Sequence, residues 1–251
     1  MIFDADTHMS PYKNFDKSID VSRWAGLIDE AGVDKALCWL LPQGVEDVSE
    51  SNQYLYKNSK NYYKMLPFGW ANVHEGLDKA IFDARQCIEE FGFAGVKLNG
   101  AQNCYNIDGL EAMKVAEQIA KLNGILAYHI GVDEPDFTNP RRAANVAKAF
   151  PEMPILMIHM GGAGSPDCSD LVIEVAKENP NMTLVGSAID ASKVGNAIRA
   201  LGSHRVMFGS DIPFVNLNQC ISNYSRMLTA FDEKTTQEVF WNNAARIFKL
   251  K

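Results

Sequence analysis

The chain has 251 residues, of which 47% are hydrophobic and 22% charged, and its formal net charge is −7. A chain of this length and composition buries a sizeable core without disulfides or a structural metal, and its acidic balance argues against a nucleic-acid partner. No apolar run reaches the ~18 residues of a membrane span, no signal peptide is recognisable before the acidic Asp4, and the five cysteines form no Cys-x-x-Cys pair, so we expect a cytoplasmic protein with reduced thiols.

Apolar runs alternate with helical patterns along nearly the whole chain. In chain order, the runs predict strands at 2–8, 33–40, 65–73, 94–99, 125–130, 154–160, 182–189 and 205–210. Several of these runs are continuous stretches of Val, Ile, Leu and Met, which is typical of parallel strands that are buried on both faces.

The segments between the strands carry helix signals. An apolar stripe of Trp24, Leu27, Ile28 and Ala31 predicts the first helix. Asp108 with Glu111 predicts a capping-box-like start of a later helix, and Ser165 before Pro166 predicts another helix start. The eighth strand is followed by predicted helices at about 216–230 and about 233–248.

Eight strand–helix units predict an α/β fold, a single-domain (β/α)₈ TIM barrel over residues 1–251 with a short extra C-terminal helix. No linker or break in composition divides the chain. The alternative is a doubly wound open sheet, which usually has a glycine-rich turn after its first strand. The sequence there is Met9-Ser10-Pro11-Tyr12, which favours the barrel.

Polar residues with metal-binding chemistry fall at the predicted strand ends. They are His8, His74, His129, His159 and Asp211. Asp6 and His8 alternate on the first strand, so their side chains point to the same side. Taken singly, each histidine reads as a buried core residue and each aspartate as a cap. Taken together at the mouth of one barrel, imidazoles and carboxylates predict a site for a divalent metal.

These residues resemble a known family. The motifs are Asp4-x-Asp6-x-His8, His129-Ile130-Gly131, His159-Met160-Gly161-Gly162, Gly209-Ser210-Asp211 and the tail 241–248. They are similar to the amidohydrolase-related branch of the amidohydrolase superfamily. The resemblance implies a (β/α)₈ barrel with a mononuclear, sometimes binuclear, divalent site. It also implies that His8, His129 and Asp211 are metal ligands.

The resemblance assigns two further residues and contains one departure. His159 matches a strand-six histidine that is a second ligand or a catalytic group. Lys97 matches a strand-four lysine, which in some relatives is carboxylated and bridges two metals and in others is a cation near the substrate. The family's first strand normally carries His-x-His, whereas this chain has Asp6-x-His8. The carboxylate of Asp6 argues against a binuclear site, and we expect one divalent ion, Zn²⁺ or Mn²⁺.

The main functional prediction is a metal-dependent hydrolase of a small, carboxylate-bearing ester, lactone or amide. A bound metal would lower the pKa of a water from ~15.7 toward ~7. Asp211 would act as general base, His159 would stabilise the oxyanion or orient Asp211, and Lys97 would hold the substrate carboxylate. The chain is shorter than related decarboxylases tend to be, and for that reason hydrolysis is preferred.

Two alternatives stay open. The first is a metal-dependent nonoxidative decarboxylase of a small cyclic or aromatic acid, in which Asp211 or His159 protonates the carbon as CO₂ leaves. The second is a metal-poor barrel that binds a small ligand with little turnover. In each case the expected partner is a small molecule, with no nucleic acid and no membrane, and a homo-oligomer is left open.

Overall fold

The computed structural model describes residues 1–10, 17–40 and 48–250. Within these ranges the strands are β1 Phe3–Met9, β2 Lys35–Leu40, β3 Met65–Pro67, β4 Gly69–Trp70, β5 Gly95–Leu98, β6 Ile125–His129, β7 Ile155–Ile158, β8 Met182–Gly186 and β9 Val206–Phe208. The α-helices are α1 Val21–Glu30, α2 Val48–Ser59, α3 Leu77–Arg85, α4 Gly100–Asn103, α5 Leu110–Lys121, α6 Pro140–Ala149, α7 Ser169–Glu178, α8 Ala191–Leu201, α9 Leu217–Leu228, α10 Glu233–Gln237 and α11 Asn243–Ile247.

The strands pair in chain order, and every pairing is parallel. Strands β3 and β4 are two parts of one barrel strand, because the N–H of Phe68 between them donates to the carbonyl of Cys38 at 3.0 Å. The ring closes between β1 and the segment after β9. There the N–H of Asp211 donates to the carbonyl of Asp6, and the N–H of His8 donates to the carbonyl of Ile212, each at 2.8 Å. The predicted TIM barrel is confirmed.

Two apolar layers hold the barrel together. Side chains such as Leu37, Trp39, Phe68, Leu156 and Val185 form one cluster with other inward-facing residues. The larger cluster joins the outer strand faces to the helices and includes Trp24 and Ile28 of α1, both fully buried as their helical spacing predicts. This packing makes a rigid scaffold for side chains at the strand ends.

Several predicted boundaries are wrong. Helix α5 begins at Leu110, and its N-cap is Gly109, which has no side chain to cap with. Asp108, the predicted cap, instead accepts hydrogen bonds from Arg142 and Asn145. Helix α7 begins at Ser169 rather than after Ser165. The predicted helix at about 233–248 is confirmed in position and is built from α10, a π-helical turn Glu238–Asn242, and α11.

No helix in the described ranges is long and apolar enough to cross a lipid bilayer. That residues 1–251 form a single domain stays a prediction.

Candidate metal centre

Asp6 and His8 bring the first two site side chains to the mouth of the barrel. Both lie on β1 and are buried. The indole Nε1 of Trp39, on the neighbouring β2, donates to Oδ1 of Asp6 at 3.0 Å. The hydroxyl of Ser187, after β8, donates to Oδ2 of the same carboxylate. Asp6 is therefore held at both oxygens and cannot rotate away from the site.

His8 has one ring nitrogen on the scaffold and the other in the site. Nδ1 lies 3.0 Å from the carbonyl of Leu40, which can only accept, so this nitrogen carries a proton. Nε2 lies 3.3 Å from Oδ1 of Asp6 and 3.2 Å from Oδ1 of Asp211. A nitrogen held in this way by a backbone carbonyl fixes the ring so that Nε2 is the available ligand atom.

The two carboxylates beside Nε2 of His8 favour a positive charge at this position. Burial by itself would lower the pKa of His8, but the hydrogen bonds to Asp211 and Asp6 outweigh it and raise the pKa to about 9. Burial would likewise raise the pKa of Asp6, but the hydrogen bond from His8 and the positive charges of His8 and Lys97 hold it well below its ordinary value. Without a metal, a proton on Nε2 of His8 supplies the positive charge between the two carboxylates.

His159 and Asp211 enter the site from turns directly after their strands. His159 follows β7 with a φ of 67°, and Asp211 follows β9 with a φ of 71°. Positive φ is uncommon for residues other than glycine and concentrates at functional sites. Asp6, His159 and Asp211 are buried, and each offers a ligand atom within 4.8 Å of the other two. Burial lowers the pKa of His159 to about 4, so its imidazole is neutral.

His129, at the end of β6, lies beside this group. Its ring centre is 4.6 Å from that of His159. Nε2 donates to Oδ1 of Asp133 at 2.8 Å, which leaves Nδ1 with a free lone pair. The sequence predicts His129 as a ligand and His159 only as an additional one. In the described residues, the group whose ligand atoms all lie within 4.8 Å of one another contains His159 with the two aspartates.

The donor set fits a divalent ion. Two carboxylates and neutral imidazole nitrogens are the ligands that Zn²⁺ and Mn²⁺ accept. One ring nitrogen of each histidine is held by another group. The partner is the Leu40 carbonyl for His8, the Asp133 carboxylate for His129 and the Ser187 hydroxyl for His159. The remaining nitrogens are thus fixed in position, as metal-binding histidines require.

Lys97 supplies a second positive charge in the same cavity. It lies on β5, is 1% exposed, and its Nζ is 4.1 Å from the centre of the Trp39 ring and 5.4 Å from that of Trp70. Burial lowers the pKa of Lys97, and the carboxylates of Asp6 and Asp211 oppose this effect. The cavity measures about 460 Å³ and is lined by His8, Lys97, Asn99, Ala101, Gln102, His129, Asp133, Glu134, His159, Ala163, Asp211 and Phe214.

The structure changes the predicted set in two ways. His74 is not part of it: the residue lies in a short 3₁₀ turn, Val73–Glu75, beyond the end of β4, and its ring packs near Tyr105. Asp133 was not predicted, because an aspartate in a polar loop looks like any solvated carboxylate. Ser187 is one of several polar residues near predicted strand ends, and nothing in the sequence pairs it with Asp6.

A family model described as Amidohydrolase matches residues 45–250. The chain belongs to this amidohydrolase family. Comparison with curated protein sequences gives no significant match.

Three solved structures are similar to this one over nearly their whole length. A 2,6-dihydroxybenzoate decarboxylase from Rhizobium has a TM-score of 0.75 at 16% identity, with 99% of this chain and 98% of that chain covered. A 5-carboxyvanillate decarboxylase from Novosphingobium aromaticivorans, with manganese and a nitrobenzoic acid, has 0.77 at 14%, with 100% and 96% covered. An uncharacterised TIM-barrel protein from Bordetella bronchiseptica has 0.77 at 16%, with 99% of each covered.

These likenesses show the fold.

Proposed function

We propose that this protein is a metal-dependent nonoxidative decarboxylase of a small aromatic or cyclic carboxylic acid. The observation that carries the proposal is the cavity that Lys97 lines together with His159 and Asp211, two members of the cluster that Asp6 completes. The cluster would hold a metal ion, and this ion and the ammonium of Lys97 would attract the same anionic substrate. The similarity in fold to decarboxylases of dihydroxybenzoate and carboxyvanillate supports this choice of reaction.

Asp6, His8, His159 and Asp211 would hold the metal, with Nδ1 of His129 beside them. A bound divalent ion supplies electrostatic attraction for the substrate carboxylate and for an oxygen next to it. Asp6 contributes a fixed negative charge, because Trp39 and Ser187 donate to its two oxygens. The residues orient the substrate at the mouth of the barrel, where sites of this fold lie.

Lys97 and the aromatic residues around it would select the substrate. Its ammonium faces the cavity from β5 and pairs with an anionic oxygen of the substrate. Phe214 lines the same cavity and offers a flat apolar surface to a ring. Trp39 packs beneath the ammonium of Lys97, so its side chain supports the cation rather than the substrate.

Asp211 would transfer the proton. The bond between the ring carbon and the carboxylate breaks, and its electron pair stays on the carbon. The Asp211 carboxylate, after taking a proton from solvent, gives that proton to the carbon as CO₂ leaves and so returns to its ionised form. Asp211 lines the cavity and is 8% exposed, so it can reach both substrate and solvent.

Hydrolysis of a small ester, lactone or amide is the second candidate, and the match to the amidohydrolase family favours it. In that reaction Asp211 would take a proton from a water instead of giving one to carbon. The two reactions therefore use the same residue in opposite directions, and only a test with substrates separates them.

The test is a substrate panel with the manganese- or zinc-loaded protein. It includes 2,6-dihydroxybenzoate and 5-carboxyvanillate, other ring acids labelled with ¹³C in the carboxylate, and a set of esters, lactones and amides. Decarboxylation predicts labelled CO₂ and, in D₂O, one deuterium at the ring carbon that lost the carboxylate. Acid release from esters or lactones without any CO₂ would contradict the proposal and favour the hydrolase. If elemental analysis of protein purified without a chelator finds no bound transition metal, and no substrate is turned over, a ligand-binding barrel is favoured.

A further inference from the structure

Ser187 joins two of the proposed metal ligands. Its Oγ contacts Oδ2 of Asp6 and lies 2.9 Å from Nδ1 of His159. Nδ1 of His159 and Oδ2 of Asp6 are themselves 3.5 Å apart, so the hydroxyl lies beside both groups. Ser187 is 1% exposed and directly follows β8, and solvent does not compete for these bonds.

The direction of the two hydrogen bonds follows from what each atom can do. An ionised carboxylate only accepts, and a serine hydroxyl has one proton to donate. Nε1 of Trp39 already donates to Oδ1 of Asp6, so both oxygens of this carboxylate have a donor beside them. The proton of Ser187 therefore goes to Asp6, and the oxygen of Ser187 then accepts from an N–H on Nδ1 of His159. The reverse assignment leaves the lone pairs of Ser187 and Asp6 facing each other at a short distance.

We propose that Ser187 is a positioning residue that fixes His159 in the tautomer with hydrogen on Nδ1, so that Nε2 presents its lone pair to the metal centre. In this tautomer the neutral ring cannot donate a hydrogen bond from Nε2 to a substrate oxygen. Of the roles that the sequence leaves open for His159, this tautomer excludes every donation from Nε2, to an oxyanion, to Asp211 or to the substrate carbon, and fits the metal ligand. The inference rests on the proposed metal centre, but not on which reaction occurs there.

The backbone around Ser187 supports a fixed hydroxyl. Ala188, the next residue, has a φ of 48°, so the chain turns sharply just after the serine. A side-chain Cβ added at Gly209 would lie 3.2 Å from Cβ of Ser187 and 3.2 Å from Cβ of Asp6. Ser187 thus sits in a tightly packed position between β8 and the segment after β9, where its rotamer is restricted.

The experiment measures the tautomer and the metal affinity separately. Metal-free protein labelled with ¹⁵N-histidine is studied by long-range ¹H–¹⁵N NMR at pH 7, and the signals of His159 are assigned by their loss in His159→Gln. The variants are Ser187→Ala, which removes the hydroxyl, and Ser187→Thr, which keeps it. Ser169→Ala is the matched control, because Ser169 is also buried and donates to an aspartate, Asp167, outside the site.

In the unmodified protein and in Ser169→Ala we expect His159 with its proton on Nδ1. In Ser187→Ala we expect a mixture of tautomers and a ~10- to 100-fold weaker affinity for Mn²⁺, the usual effect of losing a group that orients a metal ligand. Ser187→Thr should restore both. A proton on Nε2 of His159 in the unmodified protein would overturn the inference even if no variant folds. So would a Ser187→Ala protein with an unchanged tautomer and Mn²⁺ affinity. Neither readout uses a substrate, so a failure to release CO₂ would count against the proposed reaction alone.

Discussion

Nε2 of His129 lies 2.8 Å from Oδ1 of Asp133 and donates a hydrogen bond to it, so Nδ1 is the ring nitrogen that remains for a metal ion. His129 ends β6 at the mouth of the barrel, and its ring centre is 4.6 Å from that of His159. The histidine also holds the pKa of Asp133 below its ordinary value, although burial by itself would raise it. Pairs of this kind orient histidines that bind metals.

Replacing Asp133 by alanine should weaken the affinity for Mn²⁺ by about 10- to 100-fold, because Nε2 of His129 loses its fixed acceptor. Since Asp133 is exposed, the free energy of unfolding of the metal-free protein should change little. Isothermal titration calorimetry measures the affinity, and chemical denaturation measures the stability. Asp136→Ala, in the same loop but outside the cavity lining, is the control and should bind Mn²⁺ normally. Equal affinities in the two variants would show that Asp133 does not orient His129.

Replacing Asp211 by asparagine separates metal binding from proton transfer. Asparagine keeps an oxygen at the same position but cannot deliver a proton, so kcat should fall by ~10²- to 10⁴-fold. Mn²⁺ should still bind, although less tightly, because one negative charge is lost. Steady-state rates of CO₂ release at saturating Mn²⁺ measure the first effect. Normal turnover by the metal-loaded variant would remove Asp211 from the mechanism.

The fold could be predicted from the sequence because its signals are local and repeated. Each buried strand is an apolar run, and each helix has its own stripe, so eight repeats indicate the barrel without any knowledge of long-range contacts. Strand ends were less accurate. The run at 65–73 predicts one strand that ends next to His74, whereas pairing stops at Trp70 and the chain turns, with Oδ1 of Asn72 accepting the N–H of His74.

That His8, His129, His159 and Asp211 lie together could also be predicted, because parallel strands bring their carboxyl ends to one mouth. What could not be predicted is which nitrogen of each histidine is held, and by what. Those partners are the Leu40 carbonyl, the Asp133 carboxylate and the Ser187 hydroxyl, and two of the three lie far from their histidines in the sequence. A serine hydroxyl and a backbone carbonyl carry no pattern that identifies them, so only the folded chain shows their roles.

Replacing Lys97 by methionine tests the second positive charge. Methionine fills a similar space over Trp39 without a charge, so KM for an anionic substrate should rise by about 10- to 100-fold, the range expected for one hydrogen bond to a charged group. Metal affinity should not fall, because Lys97 is not a ligand. An unchanged KM would exclude Lys97 from substrate binding.

The same variant should affect stability in a pH-dependent way. Burial lowers the pKa of Lys97 in the folded protein, so the unfolded chain binds this proton more readily. The ammonium therefore costs stability at neutral pH, and that cost disappears as the pH rises toward ~10.4, the ordinary value for lysine. Metal-free Lys97→Met should be at least as stable as the unmodified protein at pH 7, with a smaller difference at pH 10. A less stable variant at pH 7 would mean that the ammonium is well paired.

Metal binding should release a proton from His8. Its pKa is about 9 in the metal-free protein because Asp211 and Asp6 hold the protonated ring, although burial opposes this. At pH 7 the proton on Nε2 occupies the position between the two carboxylates, and a metal ion must displace it. The affinity for Mn²⁺ should therefore rise by up to about tenfold per pH unit between pH 7 and pH 9 and then level off, because above pH 9 the ring is already neutral.

Calorimetric titrations with Mn²⁺ at pH 7, in buffers of different ionisation enthalpy, count the protons released. We expect close to one proton per metal ion in the unmodified protein. In His8→Asn the proton is absent, so release should vanish and the affinity should be weak and much less dependent on pH. Tight Mn²⁺ binding without proton release in the unmodified protein would contradict this prediction. It would show that His8 is already neutral at pH 7, so that Asp6 and Asp211 do not keep a proton on its ring.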